Sequence, residues 1–391
     1  SLTGPCNVRL RAILASNCRR LHDVRNLTLA MERPWKLPCR ANQAVDFPGV
    51  GWKSIRIATK RVPMDDCKLL NTVTESLAEN YGIEGSLARL PGENLNFLVT
   101  EKDGRKHVFK IVDEHMPPDV VAMEHAAMEY AVAAGFEPLL PRIKENKYGN
   151  IESGIDIHIN DSCRALLIEF IDGTEMSVLS DISENLLIDL GKTIADFGRI
   201  MQSFDHPAAR RSHRWNLAEA ERHEAKIRLI TDPEKRALLS WAFAAWQGVK
   251  GALSAVPWQF IHGDVHDENI LVDGERVIGL IDFGDCCHNP TVCDLAISLP
   301  YLMMCGDDPL QIAGTILEGY QGVRPLSETE LDLLYPLVCA RLAVSVCVAN
   351  KRKTIDPDNP NWFGGEGAAW RLLGRLQAMG AEAFRSGLCT P

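Results

Sequence analysis

The stretch "FIHGDVHDENILV", residues 260–272, sets His262, Asp264, His266, Asp267, Glu268 and Asn269 between apolar segments. A carboxylate among segments that want burial is costly unless it is paired, hydrogen-bonded or bound to a metal, so the run reads as a site. Asp264 and Asn269 stand five residues apart, and Asp282 follows 13 residues after Asn269 in "LIDFGD". The turn signal Asp273-Gly274 lies between them and predicts a hairpin that carries Asp282 back beside the loop. One carboxylate facing a hydroxyl, with an amide and a second carboxylate placed to ligate Mg²⁺, suits phosphoryl transfer. A single loop Asp or Asn is ordinarily a cap; spacing, hairpin and flanking strands together favour a reaction centre.

The elements that must position these residues follow from the apolar pattern. After Met64, the spacing of Leu69, Leu70, Val73, Leu77 and Tyr81 predicts a helix ending at Gly82. Three strands follow, through Leu87 and Leu90, Phe97 to Thr100, and Val108 to Val112, broken at Pro91-Gly92 and Asp103-Gly104. Pro118 and Asp119 open another helix, and Gly135 lies past its end. Beyond Gly173 the pattern is helical, as in the stripe Leu186, Leu187, Leu190, Ile194, Phe197 and Met201, with the polar hairpin as the exception. The prediction is an α+β fold with a small antiparallel β lobe and a larger, mainly helical lobe.

The chain has 391 residues, 46% hydrophobic and 24% charged, the balance of an ordinary soluble protein. No apolar run approaches the roughly 18 residues of a membrane span, since even "YPLVCARLAVSVCVAN" is broken by Arg341. Its 12 cysteines include no CxxC pair, which predicts reduced thiols and a cytoplasmic setting. Cys286, Cys287 and His288 read as packing. The net charge of -10 argues against nucleic acid as a partner, so Arg210, Arg211, Arg214 and Trp215 read as a local helix face. Residues 1–63 differ from the rest, with 12 Lys and Arg against 3 Asp and Glu, where the remainder holds 30 against 49. This basic leader fits a transit peptide, a basic arm or upstream sequence outside the working protein; the last is preferred, with Met64 as the start.

"FIHGDVHDENILV" followed by "GLIDFGD" resembles the catalytic loop and metal-binding motif of the aminoglycoside phosphotransferase and choline kinase superfamily, whose fold is protein-kinase-like. H-G-D stands where protein kinases have H-R-D, and I-D-F-G-D where they have D-F-G. The resemblance spans residues 68–380. Within it, "NPTVCDLAISLPYLMM", "EGYQGVRPLSETELDLLYPLVCARLAVSV" and "DNPNW" are similar to the hydroxylysine kinase subgroup, including the kinase-like domain of bacterial aminotransferase fusions. The resemblance implies that residues 64–172 are a nucleotide-binding lobe with its hinge. Residues 173–391 would be a helical lobe carrying the catalytic loop and acceptor site.

It also implies roles residue by residue. Asp264 would orient and deprotonate the acceptor hydroxyl, and Asn269 and Asp282 would hold Mg²⁺. Lys110 alternates with Phe109 and Ile111, so it points to the face opposite theirs; a lone strand Lys is ordinarily a solvated charge, but the resemblance places this one on the α/β-phosphates. Glu124 on the following helix would pair with Lys110, while Glu129 faces elsewhere on a 3.6-residue period. "LPGENLNFLV", with the single Gly92, would cover the nucleotide through backbone amides and Asn94 or Asn96. "LLIEFIDG" resembles the hinge, with the base against the Glu169 carbonyl and the Ile171 amide. Both ATP and GTP remain open as donors, because hydroxylysine kinases are associated with GTP. His262 and Asp294 would brace the loop; His266, Asp267 and Asp285 are candidate acceptor contacts. The function implied is a kinase for an amino alcohol or amino acid, hydroxylysine-like for preference, with which the acidic balance of residues 64–391 agrees. The alternatives are an aminoglycoside, homoserine or choline-type kinase, or a catalytically silent nucleotide-binding module.

Overall fold

The computed structural model describes residues 66–90, 95–112, 116–158, 161–355, 357 and 365–388. The basic leader, Asn94 with the Pro91-Gly92 break, and the "DNPNW" run lie outside the described residues. Every described element belongs to the unit Ile55–Pro391.

Helix α1 (Asp66–Tyr81) turns Leu69, Val73 and Leu77 onto one face of an antiparallel sheet and stops at Gly82, whose φ of +68° suits glycine. The sheet runs β1 (Gly85–Arg89), β2 (Leu95–Glu101), β3 (Lys106–Ile111), β6 (Asp161–Glu169) and β4 (Ile143–Lys144), with β5 (Ser153–His158) also paired to β6. Phe97, Val99, Phe109, Ile111, Ile155 and Leu167 meet α1 in one core. Burying each such side chain contributes roughly 1.5–3 kcal/mol, so α1 anchors the sheet from that side. Burial alternates along β3, so Phe109 and Ile111 enter this core while Lys110 leaves from the other face.

On that other face lies α2 (Pro118–Ala133), with Pro118 in its first turn and Gly135 (φ +87°) just beyond its end. Its buried side, including Val120, Met123, Ala127 and Ala131, packs into the larger core shared with the helical lobe. Leu139 then bonds to the polar hairpin, donating to Ile278 O at 2.7 Å and accepting from Leu280 N at 3.1 Å.

The polar run does not sit between two strands of one hairpin. Phe260 and Ile261 end β8 (Trp258–Ile261), which pairs with β11 (Cys287–Pro290). Ile270 begins β9 (Ile270–Asp273), which pairs with β10 (Arg276–Leu280) across the Gly274 turn and with β7 (Thr174–Glu175). Residues 262–269 therefore bridge two small sheets, and both ends of the loop are fixed.

Among the described residues six α-helices build most of the rest: α3 (Glu184–Ile200), α4 (Pro233–Val249), α5 (Val292–Met303), α6 (Pro309–Val323), α7 (Glu328–Lys353) and α8 (Glu366–Leu388). Helices α3 and α6 cross so closely that a Cβ on Gly191 would lie 2.0 Å from Ile316 O, and one on Gly319 would lie 2.0 Å from Ile188 O. Helix α7 starts at a capping box of Ser327 and Glu330. Among the described residues it alone is long and apolar enough to cross a membrane, and 89% of that stretch is buried within the fold. The two-lobed α+β arrangement expected from the pattern is present.

Candidate active site

Lys110 reaches from β3 to Asp282, just past β10, with Nζ 3.3 Å from Oδ1. Asp282 is the single non-glycine with positive φ among the described residues (φ 62°, ψ 79°). Such a backbone costs about 1–3 kcal/mol and persists where the surroundings impose it. Here the Gly284 N–H donates to Asp282 Oδ1 at 3.3 Å. Asp282 draws the Lys110 ammonium above its ordinary range despite burial, and Lys110 holds the Asp282 carboxyl below its own.

Glu124 is buried on α2 at 6% exposure, whereas Glu129 is exposed. The expected Lys110–Glu124 pair is not the contact formed: the ammonium's ion pair is with Asp282, and Glu124 stands in its field. Burial pushes the Glu124 carboxyl up to about 7, against the pull of Lys110. Arg211 also acts on Glu124 and clamps the next loop, donating from Nη2 to Gly284 O at 2.5 Å and from Nε to Cys286 O at 3.2 Å. The expected helix face over Arg210 to Trp215 is instead a loop after one short turn, Pro207–Ala209.

The loop 262–269 is held from below. Asp294 on α5, buried at 3% exposure, accepts from His262 N at 3.0 Å and from Gly263 N at 2.7 Å. Burial raises the Asp294 carboxyl to about 6 even so. His262 is fully buried between Phe197 and Phe283, and its Nδ1 accepts from Asp264 N at 3.3 Å. Burial pushes the His262 imidazolium down, so the ring is neutral. Gly263 (φ +80°) passes so near the Asp282 loop that a Cβ there would lie 2.4 Å from Asp285 O. Only glycine fits this crossing.

Above this floor, Asp264 gathers three partners. Arg341 Nη2 donates to Oδ1 at 2.7 Å, His266 Nε2 lies 3.3 Å from Oδ2, and Asn269 Nδ2 donates to Oδ2 at 3.2 Å and to the Asp264 carbonyl at 2.9 Å. Burial alone would raise the Asp264 carboxyl, but His266 and Arg341 hold it well below the usual carboxylate range. Burial likewise opposes charge on His266, yet Asp264 raises the imidazolium well above its ordinary value. Asp264 is thus a fixed anion, and it acts electrostatically on Asp282.

Arg341 was missed by the sequence reading except as an interruption of the apolar run in α7. It is 2% exposed, donates from Nε to Tyr301 OH at 3.2 Å, and its Cζ lies 4.7 Å from the Trp215 ring centre. A charged residue inside an otherwise apolar core helix was the available signal.

The remaining predicted residues fall in several places. Asn96 is on β2 opposite Lys110, with a buried Oδ1 that has no partner among the described residues. Glu169 closes β6 opposite His107, and Ile171 follows where the chain leaves the sheet for β7. His266 turns to Asp264, and its ring packs 5.0 Å from Tyr301. Asp267 Oδ1 lies 3.6 Å from His266 Nδ1, and Asp285 pairs with His213 at 3.3 Å. Cys286 and Cys287 are buried free thiols, pushed by that burial far above their ordinary pKa.

The family model described as "Phosphotransferase enzyme family" matches residues 86–331. The chain belongs to the phosphotransferase enzyme family. This phosphotransferase is 27% identical to the hydroxylysine kinase of Mus musculus over 364 residues, 86% of this chain and 94% of that protein. It is 26% identical to the homoserine kinase of Gluconobacter oxydans over 258 residues, 64% of this chain and 77% of the relative. Among solved structures, a microcompartment-associated aminopropanol kinase superposes with a TM-score of 0.63 at 17% identity, covering 79% of this chain and 98% of that one. An amicoumacin kinase complexed with AMP-PNP and Ca²⁺ superposes with a TM-score of 0.62 at 14% identity, covering 80% and 94%. The fold is the two-lobed, protein-kinase-like one, and the phosphotransferase is a small-molecule kinase of its family.

Proposed function

We propose that this phosphotransferase moves the γ-phosphate of ATP or GTP onto the hydroxyl of an amino-bearing metabolite, with a hydroxylysine-like acceptor preferred. One observation carries the chemistry: Lys110 and Asp282 meet at 3.3 Å beside a loop whose Asp264 is held as an anion. A cation for phosphate oxygens and a carboxylate for the acceptor are the parts this reaction requires. The acceptor preference is supported by similarity that runs through 94% of the mouse hydroxylysine kinase.

Asp264 accepts the hydrogen bond of the acceptor hydroxyl and takes its proton as the oxygen bonds to the γ-phosphorus. The bond from that phosphorus to the β-γ bridging oxygen breaks, and the nucleoside diphosphate leaves with the electron pair. A carboxylate has about four lone-pair sites, so the bonds from Arg341, His266 and Asn269 leave room for the hydroxyl. A strongly acidic Asp264 is a weak base, which suits a loose transition state in which orientation matters more than early proton removal. Lys110 steadies the phosphates, and Asp282 and Arg211 keep it and its loop in place. The Glu169 carbonyl and Ile171 amide are assigned to the base, and Asn96, on β2 opposite Lys110, to the phosphates.

The oxygens of Asn269 and Asp282 are the hard ligands Mg²⁺ takes when phosphates complete its shell. Asp282 fits this role, because its side chain is 45% exposed although ion-paired. When bound, the metal would neutralise charge on the β- and γ-phosphates.

The test is diphosphate release from Mg·ATP and Mg·GTP, in parallel, with hydroxylysine, homoserine, choline, ethanolamine and an aminoglycoside. The reading predicts turnover with hydroxylysine. Turnover confined to the aminoglycoside or choline would overturn the acceptor class, and silence throughout would favour a nucleotide-binding role.

A further inference from the structure

Helix α5 is buried at every residue except Tyr301, where it meets the loop that carries Asp264. Packing of the helix would be served as well by a phenylalanine, yet this position has a hydroxyl, and its two hydrogen bonds go to polar side chains of α7. It accepts from Arg341 Nε at 3.2 Å and lies 3.2 Å from Ser345 Oγ, to which its own proton is free to donate. Arg341 and Ser345 stand four residues apart and so share one face of α7.

The hydroxyl matters because of what holds Arg341. Its guanidinium lies 4.7 Å from the centre of the Trp215 ring and 5.4 Å from that of Tyr301. Such contacts draw the cation to a ring face but do not set how the guanidinium is turned. Direction comes from hydrogen bonds, and two supply it: Nη2 donates to Asp264 Oδ1 at 2.7 Å, and Nε donates to Tyr301 OH. Nη1 is buried with no partner among the described residues. Without the hydroxyl, Arg341 would pivot about a single bond, and that bond is to the carboxylate it has to hold.

The same Tyr301 ring packs against His266, with centres 5.0 Å apart and planes inclined by 31°. His266 Nε2 in turn lies 3.3 Å from the other oxygen of Asp264, Oδ2. One side chain therefore touches a partner of each Asp264 oxygen.

We infer that Tyr301 is a positioning residue for phosphoryl transfer: through Arg341 and His266 it sets the direction in which Asp264 meets the acceptor hydroxyl. The inference rests on the kinase reading above and adds to it a residue that the loop motifs do not contain. Its effect falls on the rate and not on nucleotide binding, because Lys110 and Asp282 belong to other elements, β3 and the turn past β10.

The test measures kcat, the acceptor KM and the Mg·nucleotide dissociation constant, with the acceptor that wild type phosphorylates fastest among hydroxylysine, homoserine, choline, ethanolamine and an aminoglycoside. Tyr301→Phe keeps the ring and removes the hydroxyl. Its kcat should fall about tenfold, the scale of one lost hydrogen bond to a charged group, with KM and nucleotide affinity changed by less than about threefold. Tyr301→Leu removes the ring as well, and the fall should reach about a hundredfold. Arg341→Lys separates positioning from packing: on that background Tyr301→Phe should lower kcat by less than about a further twofold, whereas a merely structural effect would repeat the tenfold loss. If Tyr301→Phe fails to fold by circular dichroism, Ser345→Ala, which frees the phenol from α7, takes its place with a fall in kcat of about threefold. Wild-type kcat in the folded variant, or the full loss on both backgrounds, overturns the inference, and the kinase reading stands if Asp264→Asn is inactive. Asp264→Asn turning over at the wild-type rate, or silence of wild type with every acceptor, overturns the kinase reading and the positioning role with it.

Discussion

Glu124→Gln separates burial from charge pairing at the nucleotide side of the site. Burial lifts the Glu124 carboxyl to about 7 in the fold, against 4.5 for the free group. A carboxyl raised by folding gives stability that is complete below the unfolded value and is lost as pH rises through the folded one. At about 1.36 kcal/mol per pKa unit, wild type should lose about 2.5 kcal/mol through this residue between pH 5 and pH 8. The glutamine side chain keeps the shape and cannot ionise, so the stability of the variant relative to wild type should rise by that amount over the same interval. Urea unfolding followed by tryptophan fluorescence, in buffer free of metal and nucleotide, reads the difference. A relative stability constant to within about 0.5 kcal/mol from pH 5 to pH 8 would refute the argument, given the usual extrapolation error. It would mean that Lys110 and Arg211 hold Glu124 ionised throughout.

Two further outcomes follow from the geometry. Asp282→Ala removes the partner of Lys110 and an oxygen ligand, so the affinity for Mg·nucleotide, measured by calorimetry, should fall by about tenfold or more; an unchanged affinity would contradict its assigned role. Gly263→Ala puts a Cβ 2.4 Å from Asp285 O at a φ of +80°. The clash should displace the Asp264 loop and cut the turnover rate by about a hundredfold, the scale of a misplaced catalytic group; wild-type turnover would show that the two loops do not need this crossing.

Much of the candidate site was legible because its signals are local. The Asp264–Asn269 spacing, the Asp273-Gly274 turn and the alternation of Lys110 with Phe109 and Ile111 each need only a few consecutive residues. Glu124 could be told from Glu129 because a helix sends residues five apart to different faces. What escaped depends on contacts distant in sequence. Arg341 lies 77 residues from Asp264, and Arg211 lies 73 residues from Gly284. Neither has a neighbouring motif, and each looked like an ordinary interruption or surface charge. The pairing of Lys110 with Asp282, and not with Glu124, was equally hidden, since it depends on a left-handed backbone at a residue that is not glycine. The two strands around "HGDVHDEN" carried clear strand signals, but their periodicity does not name a partner, so their division between two sheets emerged only in three dimensions.

Asp264 is assigned to the acceptor hydroxyl and not to the nucleotide. Asp264→Asn, which keeps the side-chain shape beside Arg341, tests it through two numbers taken on one sample: the rate of phosphorylated product and the dissociation constant of Mg·nucleotide. Product formation should fall by about 10²–10⁴, the usual contribution of a positioned general base, with nucleotide affinity changed by less than about threefold, under 1 kcal/mol. Product formed at the wild-type rate, or nucleotide binding lost in step with it in a folded variant, would contradict the assignment.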